Sequence, residues 1–137
     1  MKRSEAREAV FALLFETEFR TGETPEAIFE SSVSNREIVP DDYMRAAYFG
    51  VLQHLDTLDA LISRHARGWN VMRLSRVSRA LLRLAAYEMS YCPDIPSNVS
   101  MNEAIELSKK YDEEKARPFV NGVLNGIKNE LASAQND

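Results

Sequence analysis

Two histidines, one cysteine and 21 carboxylates are the side chains with which this chain of 137 residues could hold a metal or run acid–base chemistry. Their spacing argues against both. His54 and His65 stand eleven residues apart in one helical stretch, about three turns, too far to share one metal ion. Cys92 lies beside Pro93 with no base next to it in sequence. Gly122 and Gly126 fall inside a helical pattern, so no glycine-rich phosphate loop is formed. No catalytic residue, no metal site and no cofactor site is assigned, and binding is the expected activity.

Binding chemistry is visible instead in basic and aromatic residues at helical spacing. Arg3, Arg7, Phe11, Phe15 and Phe19 follow one another at steps of four, so a basic start continues as an aromatic edge. Cations neutralise phosphates, and rings stack on unpaired bases. Phe11 and Phe19 read as core, whereas Phe15 stays open between core and base contact. Lys115 and Arg117 stand just upstream of Phe119, which falls at the margin of an apolar stripe. Arg73, Arg76, Arg79 and Arg83 share an arc of about 120°, opposite Leu74, Val77, Leu81 and Leu84. That face suits RNA, an acidic protein surface, or the acids of residues 16 to 59 of its own chain. Glu88 projects into the apolar arc of the same segment, where it must be hydrogen-bonded or paired, and reads as a buried anchor.

Helices must position these groups. Ala6, Val10, Leu13 and Leu14 predict a first helix over about Ser4 to Phe19, capped by Ser4. Thr24-Pro25 predicts a cap and first position for a short helix to about Ser32. A long third helix, broken near Asp56, fits Tyr43 to Gly68. A fourth ends before Cys92-Pro93-Asp94-Ile95-Pro96, an extended connector. Ser100-Met101-Asn102-Glu103 predicts a capping box opening a helix to Tyr111. Val120, Val123, Leu124, Ile127 and Leu131 mark the last helix, with Pro118 in its first turn. The fold class is all-α, a single compact domain of about six to seven helices over 1–131, followed by a polar tail over 132–137.

Composition bounds the class further. The net charge of −4 would by itself argue against nucleic acid, but the charge is segregated. Residues 1 to 59 carry six bases against twelve acids. Residues 60 to 87 carry six arginines and no acid, and residues 88 to 137 carry five bases against nine acids. A single cysteine excludes a disulfide-paired secreted scaffold and points to a cytoplasmic protein. The N-terminal apolar run, Val10 to Phe15, has six residues, short of the roughly 7 to 15 of a signal sequence and the roughly 20 of a membrane span.

Longer motifs carry a resemblance. Leu82-Arg83-Leu84-Ala85-Ala86-Tyr87-Glu88-Met89, Ile95-Pro96, Val99 through Tyr111 and Phe119-Val120-Asn121-Gly122-Val123-Leu124 together resemble the NusB transcription antitermination family, as do Ala6-Arg7-Glu8 and Ala12-Leu13-Leu14-Phe15. The resemblance implies an all-helical RNA-binding protein that takes the boxA element of ribosomal RNA leader transcripts together with NusE, a small-subunit ribosomal protein. The pair joins an antitermination complex on RNA polymerase, and no reaction is catalysed. It implies RNA contact at Lys2, Arg3, Arg7, Phe15, Lys115 and Phe119, and protein contact at Arg76, Ser78 and Arg79 on the exposed side of their helix.

Family members commonly begin with an unbroken arginine cluster and carry tyrosine where Phe15 stands. Here Ser4 and Glu5 interrupt the cluster, so weak RNA binding by the isolated chain is expected. The same fold fronts ribosomal RNA cytosine methyltransferases; with no catalytic domain in these residues, a free-standing antitermination factor is the expectation. The alternative is a helical protein–protein adaptor or homodimer of the same fold without direct RNA function.

Overall fold

The computed structural model describes residues 1–135, which form seven α-helices and one 3-10 turn, with no strand among them. The chain divides into two compact units, Met1–Gln53 and His54–Asp137.

The first unit holds α1 (Arg3–Thr17), α2 (Pro25–Asn35) and α3 (Asp42–Gln53), with α1 packed on both others. Helix α1 starts one residue before the expected cap. Lys2 is the extended residue at its head and makes no side-chain cap; its carbonyl accepts from the Ala6 N–H at 3.0 Å, which places Ser4 inside the first turn. Thr24 caps α2 as expected, its Oγ1 accepting from the Ala27 N–H at 3.1 Å with Pro25 behind it. The unit's centre is aromatic. Phe29 lies 5.6 Å from Tyr48 and 5.3 Å from Phe49, ring centre to ring centre, and the Tyr48 hydroxyl meets Thr17 Oγ1 at 2.7 Å. A buried tyrosine needs such a partner for its polar end, and burial raises the Tyr48 pKa above the usual phenol value.

The second unit holds α4 (Leu55–Arg64), the 3-10 turn Val71–Arg73, α5 (Arg76–Tyr91), α6 (Ser97–Tyr111) and α7 (Ala116–Gln135). Helix α5 packs on α4, α6 and α7. Leu81, Leu82, Leu84, Ala85 and Ala86 are all buried, so α5 is enclosed on most of its circumference. Each leucine buried in this way contributes about 1.5–3 kcal/mol. Ser75 caps α5, its Oγ accepting from the Ser78 N–H at 3.0 Å. The expected long helix is divided near Asp56 as anticipated, the break falling at His54, whose φ is −111°.

Two boundaries differ from the sequence reading. Helix α6 begins at Ser97 behind Pro96, so Ser100 is not a cap. It lies buried inside the helix and its Oγ donates to Glu88 Oε1 at 2.8 Å. The motif that resembles a capping box therefore serves a contact between helices, and Glu88, with 0% exposure, is the buried anchor expected. Helix α7 runs to Gln135, four residues into the stretch read as a tail, where Ala132 and Ala134 favour helix. Asn136 and Asp137 lie outside the described residues.

Candidate nucleic-acid interface

In the first unit the basic start is built on one turn of α1. Arg3 sits one turn before Arg7, and both guanidinium groups face the Tyr43 ring, at 4.4 and 5.7 Å from its centre. The ring face carries partial negative charge that attracts both cations. Lys2 and Arg3 are exposed, but Arg7 is only 4% exposed. The expectation that Arg7 contacts RNA does not fit that placement, because its side chain is turned inward to Tyr43. Phe11 is core. Phe15 is half-buried and stacks obliquely on Phe19 at 5.1 Å. Phe19, read as core, is 53% exposed: α1 ends at Thr17, so the four-residue step no longer carries position 19 inward.

The second unit holds the other expected contacts. Lys115 is exposed and pairs with Glu113 at 3.2 Å, while Phe119, three residues into α7, is half-buried. Arg67 joins them on the wall of one recess. A second recess, of about 360 Å³, is shared by Trp69, Arg73, Lys115 and Phe119. Trp69 is 53% exposed. It is the sole tryptophan, set between Arg67 and Arg73 in the acid-free segment, and that juxtaposition was the sequence signal for it.

The arginine face of α5 is largely consumed within the unit. Arg79 is buried, and its Nη1 donates to the Met72 and Leu74 carbonyls at 3.2 and 3.3 Å. Arg83 holds Asp59 through two hydrogen bonds of 2.8 and 2.7 Å, the internal pairing that the charge segregation suggested. Ser78 is buried and donates to Asp112. Ser78 and Arg79 therefore do not face outward, contrary to their expected place on a partner surface; Arg76 does. A helical wheel treats α5 as covered on one side, whereas three helices pack on it.

Behind the Phe119 recess, Arg64 and His65 converge on Glu130. Arg64 Nη2 lies 2.6 Å from one carboxylate oxygen and His65 Nε2 lies 2.9 Å from the other. The Arg64 hydrogen bond, aided by His65, holds the Glu130 carboxyl down at about 2. The Nδ1 side of the His65 ring lies against Gly126, where an added Cβ would stand 2.4 Å from Nδ1. Among the described residues no group of three or more His, Cys, Asp or Glu side chains could hold a metal ion, and no helix is long and apolar enough to cross a membrane.

The NusB family model matches residues 4–129. The chain belongs to the NusB family. The transcription antitermination protein NusB of Bacillus subtilis (strain 168) is 47% identical over 131 residues, covering 96% of this chain and 98% of that protein. Among solved structures, T. maritima NusB is similar with a TM-score of 0.85 at 40% identity, over 95% of this chain and 92% of that one. NusB in a crystal structure of the antitermination factors NusB and NusE in complex with dsRNA is similar with a TM-score of 0.83 at 30% identity, over 93% and 96%. The NusB match runs through both compact units.

Proposed function

We propose that this chain is a cytoplasmic transcription antitermination factor that binds boxA RNA of ribosomal RNA leader transcripts together with NusE, and through that pair joins the antitermination complex on RNA polymerase. It acts by binding and catalyses no reaction. The observation that carries this reading is near-full-length similarity to a NusB solved with both NusE and RNA. Residues 1–131 are taken as one RNA-binding protein, as the continuous family match supports.

RNA contact is assigned to the exposed or half-exposed members of the expected set: Lys2, Arg3 and Phe15 in the first unit, Lys115 and Phe119 in the second. Arg7 is assigned a positioning role, holding the Tyr43 ring beside Arg3. Of the α5 residues, Arg76 is assigned to protein contact. With about three phosphate contacts to single-stranded RNA, the binding constant of the isolated chain should fall with salt at a logarithmic slope of about −2.

The test is fluorescence anisotropy with boxA RNA and a scrambled RNA, with and without NusE. Preference for boxA that strengthens when NusE is present is the expected result. Equal binding of both RNAs with NusE present would refute the reading.

A further inference from the structure

We propose that Trp69, flanked by Arg67 and Arg73, is a stacking platform for an unpaired nucleobase and extends the RNA contact surface beyond Lys115 and Phe119. The inference rests on the RNA-binding reading above and adds a subsite to it.

Four observations converge on this place. Trp69 keeps more than half its surface exposed, and an indole with an open face offers a flat apolar surface of the kind enriched at contact sites. It is joined to Phe119 by the recess that both line, so two aromatic surfaces bound one space. At about 360 Å³ that space falls within the roughly 300–1,000 Å³ of small-ligand sites, enough to receive a base. The third observation is charge. Arg67 and Arg73 line a further opening next to Trp69, and neither guanidinium has an acid partner among the described residues. That sets them apart from Arg64 and Arg83, which hold Glu130 and Asp59. The acids at the recess are already engaged, Glu113 with Lys115 and Asp112 with the Ser78 hydroxyl.

The fourth observation is the backbone. Arg67 has φ of +51° and Gly68 of +85°, so two successive left-handed residues make the turn that ends α4 and presents residues 67–70 outward. Only glycine adopts this region freely, and for arginine it costs free energy that surrounding structure must hold. An unpaired base could lie on the indole while Arg67 and Arg73 take the phosphates on either side. Stacking of this kind tolerates any base, so the subsite would add affinity and leave sequence choice to other contacts.

Trp69 is the sole tryptophan, so the full-length chain carries its own probe. Titration of the chain at low salt with single-stranded boxA RNA should quench Trp69 fluorescence along the same curve as anisotropy of labelled RNA. Trp69→Ala should weaken binding of single-stranded RNA about 5- to 150-fold, from the usual stacking contribution per base, while Trp69→Phe retains most of the binding. Arg67→Ala and Arg73→Ala should each make the salt slope shallower by about 0.7. Circular dichroism melting of each variant should match the parent, since these side chains are exposed.

Parental affinity in Trp69→Ala with unquenched fluorescence in the parent would overturn the subsite. If Phe119→Ala still lost binding in that case, the RNA-binding reading would stand without it. Equal quenching by duplex RNA of the same sequence would overturn stacking. So would a polyglutamate peptide that quenches Trp69 where RNA does not, which would make the surface a docking site for acidic protein. Failure of the parent to prefer boxA even with NusE overturns both readings.

Discussion

Gly122 and Gly126 lie one turn apart on α7, and the same substitution should move stability in opposite directions at the two. Alanine in place of glycine inside a helix gains about 1 kcal/mol from propensity. At Gly122 a Cβ meets nothing within 4 Å, so Gly122→Ala should realise that gain. At Gly126 it would stand 2.4, 2.7 and 3.0 Å from His65 Nδ1, Cγ and Cβ. The ring would have to retreat by about 1 Å to reach ordinary contact. It is not free to do so, since Nε2 is held to Glu130 at 2.9 Å and Glu130 is held in turn by Arg64. Overpacking of this kind costs about 1–3 kcal/mol, and loss of the histidine hydrogen bond adds about 1.

Net of propensity, Gly126→Ala should destabilise by about 1–3 kcal/mol. Urea denaturation at pH 7 measures both variants, with a melting-temperature change of about 4 °C per kcal/mol at this size. A His65→Ala background closes the cycle: there Gly126→Ala should become neutral or stabilising, because the clashing ring is gone. Equal stabilisation by Gly122→Ala and Gly126→Ala would refute the close approach of α4 to α7 at His65.

Glu130 gives a pH signature. Its folded pKa of about 2 lies below the ordinary 4.5, so its contribution is present above pH 4.5 and is lost as pH falls from 4.5 through 2. With a third of the side chain exposed, solvent screening leaves about 1 kcal/mol, and Glu130→Gln should flatten acid unfolding across that window. Ser100→Ala should cost about 1–3 kcal/mol in urea, because it leaves the enclosed Glu88 one donor short. Arg7→Ala should lower the melting temperature by several degrees, measured by circular dichroism, whereas Arg3→Ala should not; an unchanged Arg7→Ala would mean that the Tyr43 contact contributes nothing to the fold.

Helices were legible because their apolar positions recur at steps of three and four, and where a cap acts on its own helix, as at Thr24, the local motif was enough. Ser100 shows the limit. Serine followed three residues on by glutamate has a local meaning, but its hydroxyl was taken by Glu88 twelve residues away in α5. Arg79 and Ser78 failed for the same reason, since a wheel carries no information about how many neighbours surround a helix. The basic start and the Lys115–Phe119 pair were legible as types and spacing. Arg7 was not legible as an inward residue, because Tyr43 comes from another helix. Trp69 was not legible as a contact residue, because it stands in the irregular stretch between the turn that ends α4 and the 3-10 turn, where there is no periodicity to read.

The enclosed Glu88 has a kinetic meaning. Lifting α6 from α5 would leave an acid facing leucines and alanines, so the two helices have no cheap way to part. Their amide protons should exchange with deuterium only when the whole unit opens, whereas residues 67–73, held by a few turn hydrogen bonds, the buried Val71 and the Arg79 bond to the Met72 carbonyl, should exchange through smaller local openings. The slowest-exchanging and fastest-exchanging parts of this unit would then lie within a few residues of each other in sequence, on either side of the Ser75 cap. The segment that displays Trp69 would thus be able to move without loosening the helices beneath it.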